Sequence, residues 1–141
     1  MRRIDYIAVH CTATPQTTKI QSILNYWKNN LGWKRVGYHY IIEADGKVTQ
    51  LSDIEQPTNG VAGYNANSIH ISYIGGVDKN GKAIDNRTDA QKKSMLNLLN
   101  TLRKQIMVRQ RFFPIIQGHY QFPKVNKACP CFDAKKEYET I

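Results

Sequence analysis

A long hydrophobic run is absent from the chain: no apolar stretch approaches the roughly 20 residues that a helix needs to cross a bilayer. Residues 1–6 are partly basic but include neither a long apolar region nor a small-residue cleavage site, so we expect no signal peptide and synthesis in the cytoplasm. Internal repeats, low-complexity tracts and linker-like segments are also absent. With 141 residues, 41% of them hydrophobic, the chain is expected to form one domain, residues 1–141, around a buried core.

Cysteine is scarce in this chain. The three cysteines, Cys11, Cys129 and Cys131, are odd in number, which argues against a framework of disulfide bonds. Cys129 and Cys131 are separated by a single residue, which is too close for an ordinary unstrained bridge between them. Reduced thiols or metal ligands are therefore the expected roles of these side chains.

Acidic residues are few relative to basic ones: 11 Asp and Glu stand against 20 Lys and Arg, for a net charge of +9. A protein with this balance is attracted to polyanions, either nucleic acid or an anionic cell envelope. The alternative is a solvated basic surface that only keeps the protein in solution. The basic residues are dispersed rather than gathered into one arm, so charge alone does not choose among the three possibilities.

Hydrophobic periodicity predicts strands and helices that interleave along the chain. Strands are expected in five segments: 4–10, 38–43, 48–51, 68–74 and 113–116. Helices are expected over about 18–30, from Thr88 onward, where Gln91 completes a possible capping box, and near Asp133. The long helix has an apolar stripe at three-to-four spacing: Met95, Leu98, Leu99, Leu102 and Ile106. This pattern predicts the α/β class, with a mixed central β-sheet flanked by helices.

Two histidines and one cysteine form the most informative set of side chains. His10 ends an apolar run, His119 follows another, and Cys129 comes ten residues after His119. A single histidine is more often structural or exposed than a metal ligand, although strand ends followed by small or polar loops are where α/β proteins place functional groups. Zinc binds imidazole and thiolate readily, and a catalytic zinc has three protein ligands and an open position for water. If the outer segments of the chain pair in the fold, the chemistry indicated is metal-assisted hydrolysis.

Five short motifs occur in order along the chain: 9–14 (VHCTAT), 37–42 (GYHYII), 63–69 (GYNANSI), 75–76 (GG) and 127–133 (KACPCFD). With these motifs in this order and at this spacing, the chain resembles the type 2 N-acetylmuramoyl-L-alanine amidases, the family of phage lysozyme-type amidases and peptidoglycan recognition proteins. The resemblance extends from about residue 4 to about residue 133, which is nearly the whole chain.

The resemblance implies that His10, His119 and Cys129 bind Zn²⁺ and that Tyr38 and Lys127 are catalytic. It also implies the reaction, which is hydrolysis of the amide that joins N-acetylmuramic acid to L-alanine of the stem peptide in peptidoglycan. The chemistry agrees, because a phenol or an ammonium beside a metal hydrogen-bonds the oxyanion that develops at the carbonyl. From the residues alone, the favoured interpretations are a packed strand-end aromatic for Tyr38 and a solvated charge for Lys127.

Asn65, Asn67 and Ser68 are further candidates for substrate binding, as loop contacts to glycan or peptide. A role as turn-forming residues that cap the next strand explains them at least as well. The segment 59–64 (NGVAGY) lacks the histidine that many relatives have shortly before the Gly-Tyr-Asn motif, so that polar group is not available for substrate contact.

Two other positions depart from the family pattern. His70 lies mid-strand where the family often has a small residue, so no functional role is expected for it. Cys131 stands where relatives commonly have a small polar residue, and it could compete with Cys129 for metal or oxidise with it. The segment from His119 to Cys129 is also slightly longer than in phage relatives, so the loop with Lys127 could be displaced.

The function implied is that of a small zinc amidase resembling a phage or prophage endolysin, which acts on the cell wall after release or export by another system. Peptidoglycan is the expected partner and a monomer the expected state, without membrane insertion. The first alternative is a non-catalytic peptidoglycan-binding module, expected if Tyr38 or Lys127 is misplaced. The second is a basic polymerase- or nucleic-acid-binding protein, which no base-stacking or groove-binding motif supports.

Overall fold

A mixed five-stranded β-sheet forms the centre of the protein. The computed structural model describes all 141 residues. Its strands are β1 (Tyr6–Cys11), β2 (Tyr40–Ile42), β3 (Val48–Gln50), β4 (Ser68–Tyr73) and β5 (Ile115–Gly118). They follow the order β3-β2-β4-β1-β5, and only the β2–β3 pair is antiparallel. The predicted fold class, a mixed central sheet with helices, is confirmed.

Helices and helical turns connect the strands. They are α1 (Ile20–Asn25), which continues into a π-helical turn (Tyr26–Asn30), α2 (Asp89–Gln110), α3 (Ala134–Glu137), and 3₁₀ turns at Asn65–Asn67 and His119–Gln121. The helix expected over about 18–30 is therefore α-helical only in its first part, and Leu31 N–H bonds to the carbonyl of Tyr26, five residues back, at 3.1 Å. None of the helices combines the length and the apolar character that a membrane span requires.

The two faces of the sheet differ in polarity. Side chains alternate between the faces along a strand, and one face packs against the apolar stripe of α2. That core contains Ile7, Val9, Ile69, Ile71 and Tyr73 from the sheet and Met95, Leu99, Leu102 and Ile106 from the helix. On the other face, the same two strands contribute His10, His70 and Ser72, all of them buried. Polar side chains thus collect on the face that α2 leaves free.

β5 begins two residues later than the hydrophobic pattern predicts. The expected strand was 113–116, whereas pairing with β1 runs from Tyr6 opposite Ile115 to Val9 opposite Gly118. Phe113 stays outside the sheet, where its ring lies 3.8 Å from the guanidinium of Arg103, and residue 114 is a proline without an N–H to donate. Because of this shift the strand ends directly before residue 119.

A buried arginine fastens the C-terminal segment to the region before α2. Arg87 donates hydrogen bonds of 2.8 to 2.9 Å to the carboxylates of Asp85 and Glu137. Its guanidinium also lies 3.4 Å from the centroid of the Phe132 ring. These contacts fix the residues that follow Cys129 in the chain.

The capping box at the start of α2 is present as predicted. The Thr88 hydroxyl accepts from Gln91 N–H at 3.0 Å, and the Gln91 side chain accepts from Thr88 N–H at 3.0 Å. The same hydroxyl donates to the carbonyl of Ala44 at 2.6 Å. The cap therefore also links α2 to the loop after β2.

We expect Thr88→Ala to lower the free energy of unfolding by about 1–2 kcal/mol, because it removes both the helix cap and the bond to Ala44. Urea unfolding of the metal-free protein measures this change. Lys93→Ala, at an exposed position of the same helix, is the control and should stay within about 0.5 kcal/mol of the parent protein. Equal stability of the two variants would contradict the capping role.

Candidate metal centre

His10 and His119 lie side by side because β1 and β5 pair in parallel. Val9 is opposite Gly118, so the next residue along each segment emerges at the same edge of the sheet. The centroids of the two imidazole rings are 4.8 Å apart. The outer segments of the chain thus pair, which is the condition that a shared metal site requires.

Cys129 reaches the same edge through the close approach of Pro130 to Gly118. A Cβ atom at position 118 would lie 2.6 Å from Cδ of Pro130, so a larger residue there would push the two segments apart. The sulfur of Cys129 accepts from the backbone N–H of Cys11 at 3.1 Å. It lies 3.9 Å from Nδ1 of His10.

The ligand atoms of His10, His119 and Cys129 all lie within 4.8 Å of one another. Around a tetrahedral zinc ion, two nitrogens and a thiolate are separated by about 3.5 Å, as the usual bond lengths dictate. Two imidazoles and a thiolate are also ligands that zinc prefers. In both chemistry and spacing, the donor set fits zinc after small shifts of the side chains.

Burial keeps the two histidines neutral, the form in which an imidazole can bind a metal. Burial lowers the pKa of His10 well below its ordinary value, and the neighbouring His70, His119 and Lys127 lower it further. Burial, with the charge of Lys127, lowers the pKa of His119 to about 4. Both imidazoles therefore have a free lone pair at neutral pH without competition from protons.

Tyr38 packs against the candidate ligand His10. The two ring centroids are 5.0 Å apart, and the Tyr38 hydroxyl donates to the carbonyl of Cys11 at 3.3 Å. Trp27 meets the tyrosine ring edge-on at 5.2 Å. Burial raises the pKa of Tyr38 above its ordinary value, so the hydroxyl remains a hydrogen-bond donor at neutral pH.

One pocket of about 200 Å³ is lined by the three candidate ligands together with Tyr38 and Lys127. It adjoins a groove of about 740 Å³ whose walls include Trp27, Trp33, Tyr38 and Lys127. No Asp or Glu lines the pocket or the groove. Acid–base chemistry in this place therefore depends on phenol, ammonium, imidazole or water rather than on a carboxylate.

The three candidate substrate-binding residues make contacts within the protein. The side-chain oxygen of Asn65 accepts from the backbone N–H groups of residues 60 and 61. Asn67 donates to Asp5 at 2.7 Å. Ser68 has no exposed surface, which argues against direct contact with a glycan or peptide. None of the three lines the pocket or the groove, so their contacts favour the turn-forming interpretation.

Two cysteines lie outside the ligand cluster. Cys131 donates through its thiol to the carbonyl of Gly76 at 3.4 Å, and burial raises its pKa to about 11. Cys11 is buried on the α2 face, and the hydrogen bond to Cys129 together with burial raises its pKa. Both side chains are protonated thiols at neutral pH, and neither belongs to the group that could hold a metal.

His70 contacts the candidate ligand His10, which the sequence analysis did not anticipate. Nδ1 of His70 lies 2.9 Å from Nε2 of His10. Ala8 is opposite His70 in the sheet, so His10, two residues further along β1, points to the same face as His70. The alternation along each strand was visible in the sequence, but the pairing of β1 with β4 was not.

Tyr38 and His39 do not point to opposite sides, although strand alternation predicts that they should. Both residues precede β2, so the regular alternation of a strand does not govern them. Tyr38 contacts His10, and the ring of His39 stacks on His70 with centroids 6.0 Å apart. Nε2 of His39 contacts the carbonyl of Gln56 at 2.7 Å, which indicates a structural role.

Comparison with known proteins gives matches over nearly the whole chain. The profile of the N-acetylmuramoyl-L-alanine amidase family matches residues 1–132. The endolysin of Escherichia phage T7 is 37% identical over 137 residues, which cover 96% of this chain and 85% of the endolysin. The endolysin of Klebsiella phage KP32 is 34% identical over 134 residues, which cover 94% of this chain and 84% of the endolysin.

Solved structures share the fold. The Ph2119 endolysin from a Thermus scotoductus bacteriophage superposes with a TM-score of 0.75 at 25% identity, covering 92% of this chain and 79% of that one. The Drosophila peptidoglycan recognition protein SA gives a TM-score of 0.77 at 22% identity, covering 100% of this chain and 80% of that one. The second similarity is one of fold alone.

We expect the metal-free protein to lose stability as the pH falls from about 6.5 to about 4. His39 and His119 have folded-state pKa values of about 4, against an ordinary value of 6.5. Between pH 6.5 and pH 4 the unfolded chain therefore binds protons that the folded protein does not. The free energy of unfolding is highest above pH 6.5 and decreases as the pH falls through this range.

Urea unfolding at several pH values measures this dependence. His119→Gln removes one of the titrating groups and should make the decrease shallower. A free energy of unfolding that stays constant or rises between pH 6.5 and pH 4 would contradict the neutral state of these histidines.

Proposed function

The chain belongs to the N-acetylmuramoyl-L-alanine amidase family, and on that premise we propose that it is a zinc-dependent endolysin. It hydrolyses the amide between N-acetylmuramic acid and the L-alanine of the stem peptide. The observation that carries the proposal is the convergence of His10, His119 and Cys129 in a pocket shared with Tyr38 and Lys127. The similarity to phage endolysins over almost the full chain supports it.

His10, His119 and Cys129 would hold the zinc ion. When bound, zinc supplies Lewis-acid polarisation of a carbonyl and lowers the pKa of water. Burial of His10 and the neutral state of both histidines favour binding, because a metal then competes with neither water nor protons for the nitrogen lone pairs. The packing of Gly118 on Pro130 keeps the two segments that carry His119 and Cys129 in contact.

Tyr38 donates a hydrogen bond to the oxyanion that develops on the scissile carbonyl. Its hydroxyl lies beside the ligand cluster. The hydrogen bond that it donates to the carbonyl of Cys11 is long, at 3.3 Å, and therefore weak enough to be exchanged for a bond to a substrate oxygen. Its raised pKa keeps the proton in place for donation. The packing of Trp27 and His10 against the ring restricts its orientation at the wall of the pocket, so little ordering of the ring is needed when a substrate binds.

Lys127 supplies positive charge at the mouth of the same pocket. Its side chain is exposed and lines the pocket, and its positive charge lowers the pKa of His10 and of His119 through space. A cation here stabilises negative charge that develops during hydrolysis. Because no carboxylate lines the pocket, this charge is not neutralised by an ion pair there.

The adjoining groove is the proposed binding site for peptidoglycan. Trp27 and Trp33 stack at 6.3 Å between centroids, and the groove also contains Tyr26 and Leu31. Aromatic and aliphatic surfaces of this kind suit the apolar faces of sugar rings and short peptides. The net charge of +9 adds long-range attraction to anionic wall polymers, which salt weakens. We propose that the protein acts on the wall as a monomer.

We expect the zinc-loaded protein to release stem peptides that begin with L-alanine from purified peptidoglycan. Chelation of the metal should abolish release, and Cys129→Ala should do the same because it removes the thiolate ligand. Mass spectrometry of the soluble products measures both effects. Cys131→Ala is the matched control and should retain activity, since that thiol lies outside the ligand cluster.

Three outcomes are informative in this experiment. Release of peptides in the chelated sample would overturn the zinc dependence while leaving the amidase activity. Binding to the wall without release would replace the enzyme by a recognition module. Cleavage of glycan or peptide bonds instead of the muramoyl amide would overturn the proposed substrate bond.

We expect Tyr38→Phe to lower kcat by about 100-fold or more, the effect of losing one donor to a developing oxyanion. Zinc affinity should be unchanged, because the phenol is not a ligand. Tyr6→Phe, in a separate aromatic cluster with Tyr64 and Phe122, is the control and should keep full activity. Steady-state hydrolysis of a muramoyl-peptide measures kcat, and an unchanged value in Tyr38→Phe would remove the phenol from the mechanism.

A further inference from the structure

A continuous chain of hydrogen bonds connects the candidate ligand His10 to the loop before β4. Nε2 of His10 lies 2.9 Å from Nδ1 of His70, and Nε2 of His70 lies 2.8 Å from Oδ1 of Asn65. His10 and His70 have exposed fractions of 1% and 0%, so water does not compete for these bonds. The nitrogen of His10 that stays outside the chain is Nδ1, which lies 3.9 Å from the sulfur of Cys129.

The loop determines which atom of Asn65 faces His70. Oδ1 accepts from the backbone N–H groups of Gly60 at 3.1 Å and Val61 at 2.8 Å. An amide nitrogen in that place would face two donors and could accept from neither. The atom is therefore the oxygen, which only accepts, and Nε2 of His70 must carry the proton that it receives.

The proton on Nε2 of His70 determines the tautomer of His10. A neutral imidazole donates through one nitrogen and accepts through the other, so Nδ1 of His70 accepts the bond from Nε2–H of His10. His10 then has its lone pair on Nδ1, the nitrogen near Cys129. This is the arrangement that a metal requires, since a ligating histidine usually donates its other N–H to a neighbouring acceptor.

Contacts on two sides hold the ring of His70 in place. Its backbone N–H donates to Nδ1 of His39 at 3.0 Å, and the two rings stack. On the other side lies Gly60, where a Cβ atom would come within 2.3 Å of Cγ and Nδ1 of His70. A side chain at position 60 and the imidazole of His70 in this place therefore exclude each other.

We infer that His70, oriented by Asn65, is a positioning residue that fixes the tautomer and ring orientation of His10 for metal binding. The inference rests on the proposed zinc site, and it assigns a role to a residue that touches neither metal nor substrate. Removing the partner of a metal-ligating histidine typically weakens metal binding or activity by about 10- to 100-fold.

A pair of variants at position 70 tests the inference. His70→Leu fills the space without an acceptor, and zinc affinity, measured by competition with a chromophoric chelator, should fall by about 10- to 100-fold. The side-chain oxygen of asparagine is attached to Cγ, as Nδ1 is in histidine, and it can accept the hydrogen bond from His10. His70→Asn should therefore bind zinc more tightly than His70→Leu. Leu99→Ala, which destabilises the opposite core, should lower Tm without changing zinc affinity.

Nuclear magnetic resonance of the metal-free protein gives a second readout, which does not depend on the stability of any variant. Long-range ¹H–¹⁵N correlations should show the proton of His10 on Nε2. A proton on Nδ1 in the unmutated protein would overturn the inference. So would a zinc affinity of His70→Leu equal to that of the parent.

The same measurements separate this inference from the proposed function. If the unmutated protein binds no zinc, the proposed function is overturned and the positioning role with it. If it binds zinc and cleaves the muramoyl amide but His70→Leu binds zinc as tightly, only the role of His70 is lost.

Discussion

Burial of polar side chains on one face of the sheet is the constraint on which the rest of the structure depends. A buried polar group without a partner costs about 1–3 kcal/mol, so His10, His39 and His70 all need hydrogen bonds from their surroundings. The loop between β3 and β4 supplies two of them, through the carbonyl of Gln56 to His39 and through the side chain of Asn65 to His70. Arg2 in turn bonds to backbone carbonyls of this loop and of its junction with β4. The irregular loop is thus tied by hydrogen bonds both to the buried histidines and to Arg2.

The site that results has cationic and neutral groups but no carboxylate. The few acidic residues are used elsewhere, as in the pairs that Asp85 and Glu137 form with Arg87. In the proposed mechanism, the ammonium of Lys127 and the hydroxyl of Tyr38 would act on a substrate without a neighbouring carboxylate to offset the positive charge. The arrangement favours stabilisation of negative charge over proton abstraction by a strong base.

Part of this structure could be predicted from the sequence, and the remainder could not for a physical reason. His10 and His119 stand at strand ends beside small or polar residues, with a free cysteine, Cys129, ten residues further on, which is a local signal. The family resemblance that the three residues support is confirmed. His70 has no local signal, because its position beside His10 follows from the pairing of β1 with β4. Periodicity reveals which side of a strand is buried but not which strand is its neighbour.

Smaller differences have similar causes. The shifted start of β5 depends on a proline and on the packing of Phe113 against Arg103, neither of which a hydrophobicity pattern includes. The orientation of Tyr38 and His39 follows from their position just outside β2. In each case a tertiary contact or the end of a strand overrides the local periodicity.

The position of β1 at the interior of the sheet has a consequence for the formation of the protein during translation. Of the five strands, β1 leaves the ribosome first, yet its two neighbours in the sheet, β4 and β5, follow it much later in the sequence. An almost wholly buried apolar segment must therefore wait for β4, and then for β5, to be synthesised before both of its edges are paired. Parallel pairings between such distant segments form slowly and leave strands open to aggregation in the meantime. The chain is therefore most prone to aggregation before β5 has been synthesised, and rapid overproduction would increase aggregation at that stage.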